Sequence, residues 1–283
     1  MRHDGRVPFT FSHPAAVLPL LRGVRGRGPL IASALVAGSM APDLPYFAES
    51  WLPGVYGQGA LTHRWWAVAT VDVALAGALL AGWHGVLRAP LLAALPEPWG
   101  AAADAATARR GQRRGRRPGQ WPGGGEAAAF VLSAAVGAAT HVGWDAFTHQ
   151  GRAGVRLLPA LNREVAGVPL YAVLQYGTSA AALAVLGRHL ARELPRPAAP
   201  PQPAPGRRAA RIVLGAGAVL GAGERVARSA RARATGQRWN VIADLCFGAG
   251  AGAAVGATAL SLLPRPLLPR RPTGQARSLQ ALA

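Results

Sequence analysis

Long apolar runs, separated by short polar, glycine-rich or proline-rich stretches, dominate this chain. The runs WWAVATVDVALAGALLAGWHGVL (65–87), AAAFVLSAAVGAATHVGWDAF (127–147), PLYAVLQYGTSAAALAVLG (169–187) and WNVIADLCFGAGAGAAVGATALSLL (239–263) each come to about 20 residues, the length a helix needs to cross a bilayer's hydrocarbon core. The run AARIVLGAGAVLGAG (209–223) is marginal, and LIASALVAGSMA (30–41) is too short to span, which suits a re-entrant or buried helix. No heptad and no repeat of fixed period interrupts the pattern. It predicts an all-α polytopic membrane bundle of about five spans, with short re-entrant or buried N-terminal helices. The small-xxx-small spacing in GAGAGAAVGA (248–257) predicts close helix packing.

Charge then orients the pattern. The formal net charge is +19, and all 31 basic residues are arginine. These arginines fall mostly between the apolar runs, as in RRGQRRGRR (109–117), which is where the positive-inside bias places them. Nucleic acid is excluded as a partner on the same ground, because these loops lack the base-stacking aromatics that such a face needs. The chain therefore reads as a multi-pass protein of the cell (inner, cytoplasmic) membrane, with the bilayer as its partner and the loop 88–126 flexible and cytoplasmic. That orientation brings His63 and the stretch 139–151 to the same, outer, end of an antiparallel helix pair. Residues 7–190 form the membrane helical domain, 191–208 a Pro-rich linker, 209–263 the C-terminal membrane helices and 264–283 a disordered tail. The single cysteine, Cys246, excludes an internal disulfide and a Cys-rich zinc site.

Polar residues inside apolar runs are expensive and call for partners. ATHVGWDAFTHQG (139–151) places His141, Asp145 and His149 at four-residue spacing on one helical stripe. His141 and Asp145 lie about 6 Å apart along the axis and can share one ion, whereas His149 lies about 12 Å from His141 and cannot. Either two metals bind, or the helix ends near Phe147 and His149 folds back; Gly151 favours the early stop. Three N-terminal motifs supply matching groups. FTFSHPAAVLP presents His13, with Ser12 as a helix cap; GSMAPDLPYF presents Asp43 on a break between Pro42 and Pro45; LTHRWW presents His63 just before a span. Imidazoles with carboxylates suit zinc and other transition metals. Taken singly, each group also has a plain structural reading. His13 and His63 fit an interface with Trp65 and Trp66, Asp145 fits an ion pair with Arg152 or Arg156, and Asp72 and Asp244 fit buried hydrogen-bonding partners. His189 and Glu193 share the ligand spacing but fall at the opposite, Arg-rich end.

Together PFTFSHPAAVLPLLR, GSMAPDLPYF, LTHRWW, HVGWDAFTH and PLYAVLQYGTS resemble a bacterial, largely actinobacterial, membrane family known as domain of unknown function 4184. The resemblance covers about residues 7–225 and implies that Val7 is the start, with residues 1–6 an extension of the gene model. Members often carry Ser where this chain has Arg64. More distantly, the order His13, Asp43, His63, His141-x-x-x-Asp145, His149 is similar to the ligand order of the zinc-dependent phospholipase C and P1 nuclease group. It is also similar to inner-membrane proteins described as metal-dependent hydrolases. That likeness implies a divalent metal, zinc by type, held by His13, Asp43, His63, His141 and Asp145, with His149 a ligand or a neighbour of one. It further implies hydrolysis of a lipid or phosphoester, with Arg64 available to phosphate. The terminal amine ligand and final His-x-x-x-Glu of the soluble enzymes have no secure match, so one or two metals are expected rather than three. The alternative is a non-catalytic membrane protein in which the same residues form a structural metal site, an ion or proton path, or a polar network locking helices together.

Overall fold

A computed structural model describes residues 9–108, 123–194, 206–233 and 240–263. The architecture is all-α, with two two-residue hairpins as its only strands among the described residues. Six helices organise it: α1 (Ala32–Met40), α2 (Val71–Ala94), α3 (Gly124–Thr148), α4 (Leu170–Glu193), α5 (Arg207–Arg233) and α6 (Val241–Leu262). Among the described residues α2, α3, α4 and α6 are long and apolar enough to cross a membrane. That is one fewer than the sequence predicts. The run 209–223 is the middle of α5, whose ends carry Arg207, Arg208, Arg211, Arg225, Arg228 and Arg231.

The boundaries differ from expectation in two further places. Residues 65–70 form a turn and a short 3-10 helix, so the second long helix starts at Val71. It then continues through a π turn at Trp83–Leu87 to Ala94, and a further helix covers Trp99–Thr107. The first part of the predicted flexible loop 88–126 is therefore helical, while 109–122 lies outside the described residues. So do 1–8, most of the predicted linker (195–205) and the predicted tail (264–283).

The N-terminal segments wedge into the bundle as predicted. An 11-residue 3-10 helix, Thr10–Leu20, contains Pro14 and Pro19, which cannot donate to an α-helical ladder. Its Val17 packs with Leu35 of α1, both fully buried. Helix α1 lies against α3 at backbone contact distance. A Cβ on Gly38 would overlap the Ala134 carbonyl, and one on Gly137 would overlap the Leu35 carbonyl. Ser133 of α3 locks this pair by accepting from the Ile31 amide at 2.9 Å. Helices α5 and α6 also pack glycine on glycine, Gly217 and Gly221 against Gly248 and Gly252. This is the close packing that the small-residue spacing predicts. Buried Arg225 of α5 fastens that hairpin to the N-terminal half. It donates to the Tyr46 carbonyl at 2.6 Å, to Ser50 Oγ at 2.9 Å and to Asp244 Oδ1 at 3.1 Å. Asp244 is thus a hydrogen-bonding partner, as its sequence context implies, but half-buried rather than buried.

Candidate metal centre

Three breaks in regular structure aim side chains at one point. Helix α1 ends at Met40, a 3-10 turn covers Ala41–Asp43, and a new helix starts at Leu44. Pro42 and Pro45 enforce that change of direction, and Asp43 at the corner is fully buried. His63 follows the one-turn helix Gly59–Thr62. His141 and Asp145 stand one turn apart on α3 and are buried to within 1%. The close approach at Gly38 and Gly137 brings the Ser39 carbonyl to 2.7 Å from His141 Nδ1. The Gly59 carbonyl is likewise 2.7 Å from His63 Nδ1.

Those two carbonyls decide the tautomers. A carbonyl only accepts, so each Nδ1 carries a proton and donates, and in the neutral ring Nε2 is the nitrogen that offers a lone pair. The two Nε2 atoms lie 3.2 Å apart. Asp43 Oδ1 sits 3.4 Å from His141 Nε2 and 3.6 Å from His63 Nε2. Asp145 Oδ2 sits 3.1 Å from His63 Nε2 and 3.6 Å from His141 Nε2. Ligand bonds of the zinc type in a tetrahedron put donor atoms about 3.3 Å apart, and these five separations bracket that value. All four ligand atoms lie within 4.8 Å of one another. Two imidazole nitrogens and two carboxylate oxygens converging in a buried space could hold a metal ion between them. Asp43 Oδ1 has no hydrogen-bond partner in the protein, while Oδ2 of the same carboxylate accepts from the Thr10 hydroxyl.

The two remaining predicted residues flank the other side of Asp145. His13 Nε2 and His149 Nδ1 each lie 3.6 Å from Asp145 Oδ1, which no protein group hydrogen-bonds. The His13 ring stacks on His141 at 3.7 Å between centroids and meets the edge of Trp144 at 5.3 Å. Neither His13 nitrogen has a hydrogen-bond partner. Burial, with the neighbouring His141 imidazole next in effect, lowers His13 from 6.5 to about 3. Its ring is therefore neutral at neutral pH and free to ligate. His149 reaches the cluster because α3 stops at Thr148. His149 itself is extended, and Gly151 takes a left-handed φ of 72°. Of the two ways to place His149 read from the spacing, the early stop is the one observed.

All six predicted residues are thus gathered, four in one ligand group and two against Asp145. Other expectations fare differently. Ser12 does not cap the first helix; it lies inside it, donating to the Phe9 carbonyl at 2.7 Å. Asp145 pairs with imidazoles and not with Arg156, which donates to the Gly151 carbonyl. Arg64, next in sequence to buried His63, is exposed. Asp72 is fully buried with neither oxygen hydrogen-bonded. His189 contacts the Gly23 carbonyl, outside the cluster. Sequence reasoning did not identify Thr10, Ser39 or Gly59 as supports. Only Thr10 left a trace, as a hydroxyl within the first motif.

Fold and site together define a class: a helical bundle with four helices fit to cross a membrane and a buried Asp/His group that could hold a metal ion. Within that class the chain belongs to the family described as domain of unknown function (DUF4184), whose model matches residues 7–262. No curated protein and no solved structure matches it.

Proposed function

We propose that this protein is a metal-dependent hydrolase of the cell membrane, acting on a lipid or phosphoester at the outer end of the bundle. The observation that carries the reading is the sharing of Asp145. One oxygen completes the four-ligand group with Asp43, His63 and His141, and the other faces His13 and His149. A divalent ion of the zinc type would be held by the first group, and a second beside Asp145 Oδ1 by neutral His13; His149, whose Nδ1 lies 3.2 Å from the Asp145 carbonyl and so carries the proton there, supports that side rather than ligating through this nitrogen. Such ions lower the pKa of water and stabilise negative charge on a phosphoryl oxygen. The chain's own residues supply the rest. Ser39 and Gly59 fix the two imidazoles in the ligating tautomer, and Thr10 orients the Asp43 carboxylate. Neutral His13, unpartnered in the protein, is able to ligate or to accept a proton.

One observation favours a second reading. Four protein ligands already fill a tetrahedral ion, and filled sites are typically structural. In that reading the cluster only locks α1, α3 and the N-terminal segments together. The test is turnover of a phosphodiester and phospholipid panel by metal-loaded protein. His13→Ala and His149→Ala should abolish turnover while leaving the first ion bound. Bound metal without turnover on any substrate of the panel would overturn the hydrolase and leave the structural lock.

A further inference from the structure

Thr10 belongs to two environments at once. Its hydroxyl donates to Asp43 at the metal centre, and its side chain lines a separate cavity of about 170 Å³. That cavity lies between Phe9 and Phe11, Phe47 and Phe247, and residues of α4 and α6 such as Leu183 and Ile242. The aromatic rings form a continuous base: Phe11 meets Phe47 edge-on at 6.0 Å, and Phe47 meets Phe247 edge-on at 4.9 Å. Phe9, Phe11, Leu183 and Ile242 are each more than a third exposed, so the groove is open along its side. Its walls belong to two of the helices apolar enough to cross a membrane. Exposed apolar surface of this kind marks a binding site when it is contiguous. A lining with so few polar groups gives water little to hold.

We propose that this groove receives the hydrocarbon chain of a bilayer lipid and that Thr10 marks the passage from the chain to the metal centre. The inference rests on the hydrolase reading and narrows its substrate to a lipid, setting aside a soluble phosphoester. The occupant follows from position. Walls made by helices apolar enough to cross a membrane open onto lipid chains, and an aqueous substrate has no use for a groove lined by four phenylalanines. A chain already in the bilayer gains little from leaving one apolar medium for another. The groove therefore orients the lipid and selects its chain, holding the polar end at the cluster.

The experiment uses the full chain in nanodiscs containing a phosphatidylcholine with a diazirine in its acyl tail. Cross-linked peptides are mapped by mass spectrometry in wild type, Ala180→Phe and Val185→Phe. Ala180 lines the groove and is exposed, so the ring can enter the groove without invading the core. Val185 is exposed on the same helix and does not line the groove. Cross-links concentrated on the segments bearing Phe47, Leu183 and Cys246, lost in Ala180→Phe and kept in Val185→Phe, support the groove. Cross-links spread evenly over α2, α3 and α6, or unchanged by Ala180→Phe, overturn it. A catalytic arm compares a long-chain phospholipid with bis(p-nitrophenyl) phosphate. The ratio of lipid to soluble turnover should fall at least about tenfold in Ala180→Phe, as expected when an apolar pocket is reshaped. An unchanged ratio overturns the groove. If neither substrate turns over, the hydrolase reading fails, while the cross-linking pattern still decides the groove.

Discussion

His141→Ala, combined with metal removal, probes the centre most directly. His141 supplies one of four converging ligand atoms and stacks on His13. Its loss leaves Asp43 and Asp145 buried with one imidazole fewer between them. Breaking a buried charge arrangement on one side costs about 3–5 kcal/mol. Metal binding to the folded protein alone adds about 2.7 kcal/mol of stability at a free metal concentration 100 times Kd. On the scaling of domains with 150 to 250 residues that corresponds to a melting shift of roughly 5–11 °C. Two perturbations of one site should also be non-additive. Wild type should lose about that shift on chelation, and His141→Ala should start lower and lose almost nothing more. The assay is metal content by mass spectrometry after detergent purification, with thermal unfolding before and after chelator. Wild type carrying no metal, with no response to chelator, would refute the cation argument. The cluster would then be a hydrogen-bonded network of protonated imidazoles and carboxylates.

Three other outcomes follow from the same geometry. In chelator, stability should fall as pH drops from 7 to 5, by roughly 2 kcal/mol from His13 alone, at 1.36 kcal/mol per unit. The sign follows from His13 being lowered from 6.5 to about 3 on folding. The unfolded chain takes up the proton first, so stability is full above the unfolded value and declines through the window down to the folded one. His13→Phe should flatten that slope in denaturant titrations. Gly137→Ala should cost about 1–3 kcal/mol by overpacking and weaken metal binding about 10–100-fold, since α1 and the Ser39 carbonyl must move. Gly143→Ala is the control, because its Cβ would meet only Trp65 at 3.9 Å. Arg225→Ala should destabilise by about 3–5 kcal/mol in unfolding experiments, and Arg225→Met, which fills the same space without charge, by less.

What the sequence could convey was local. The four-residue stripe from His141 to His149, the prolines around Asp43 and the glycine after His149 each state their geometry within about ten residues of chain. The helix break that frees His149 was legible for that reason. Tautomer control was not. It depends on the Ser39 carbonyl, which faces His141 only because Gly38 and Gly137 let two helices touch across about a hundred residues of sequence. Helix ends were misjudged where polarity and helical preference part company. The apolar run stops at Arg88, yet the following leucines and alanines extend the helix to Ala94. The same conflict explains α5, where an apolar middle read as a marginal span lies inside a longer helix with arginines at both ends.

The division of Asp145 also orders the two readings of the site. Its Oδ2 is one of the four atoms that, with those of Asp43, His63 and His141, could hold a metal ion, and that group by itself accounts for locking α1, α3 and the N-terminal turn. A structural lock needs nothing more. It gives no reason for His13 and His149 to approach Oδ1 at 3.6 Å, nor for both His13 nitrogens to be buried without a partner. Burying polar nitrogens unpaired costs about 1–3 kcal/mol each, so a purely structural site would be more stable with an apolar residue at 13. His13→Leu therefore separates the two roles. A structural lock predicts equal or higher stability with the metal retained. A catalytic centre predicts retained fold and retained first metal, with the second metal and turnover both lost.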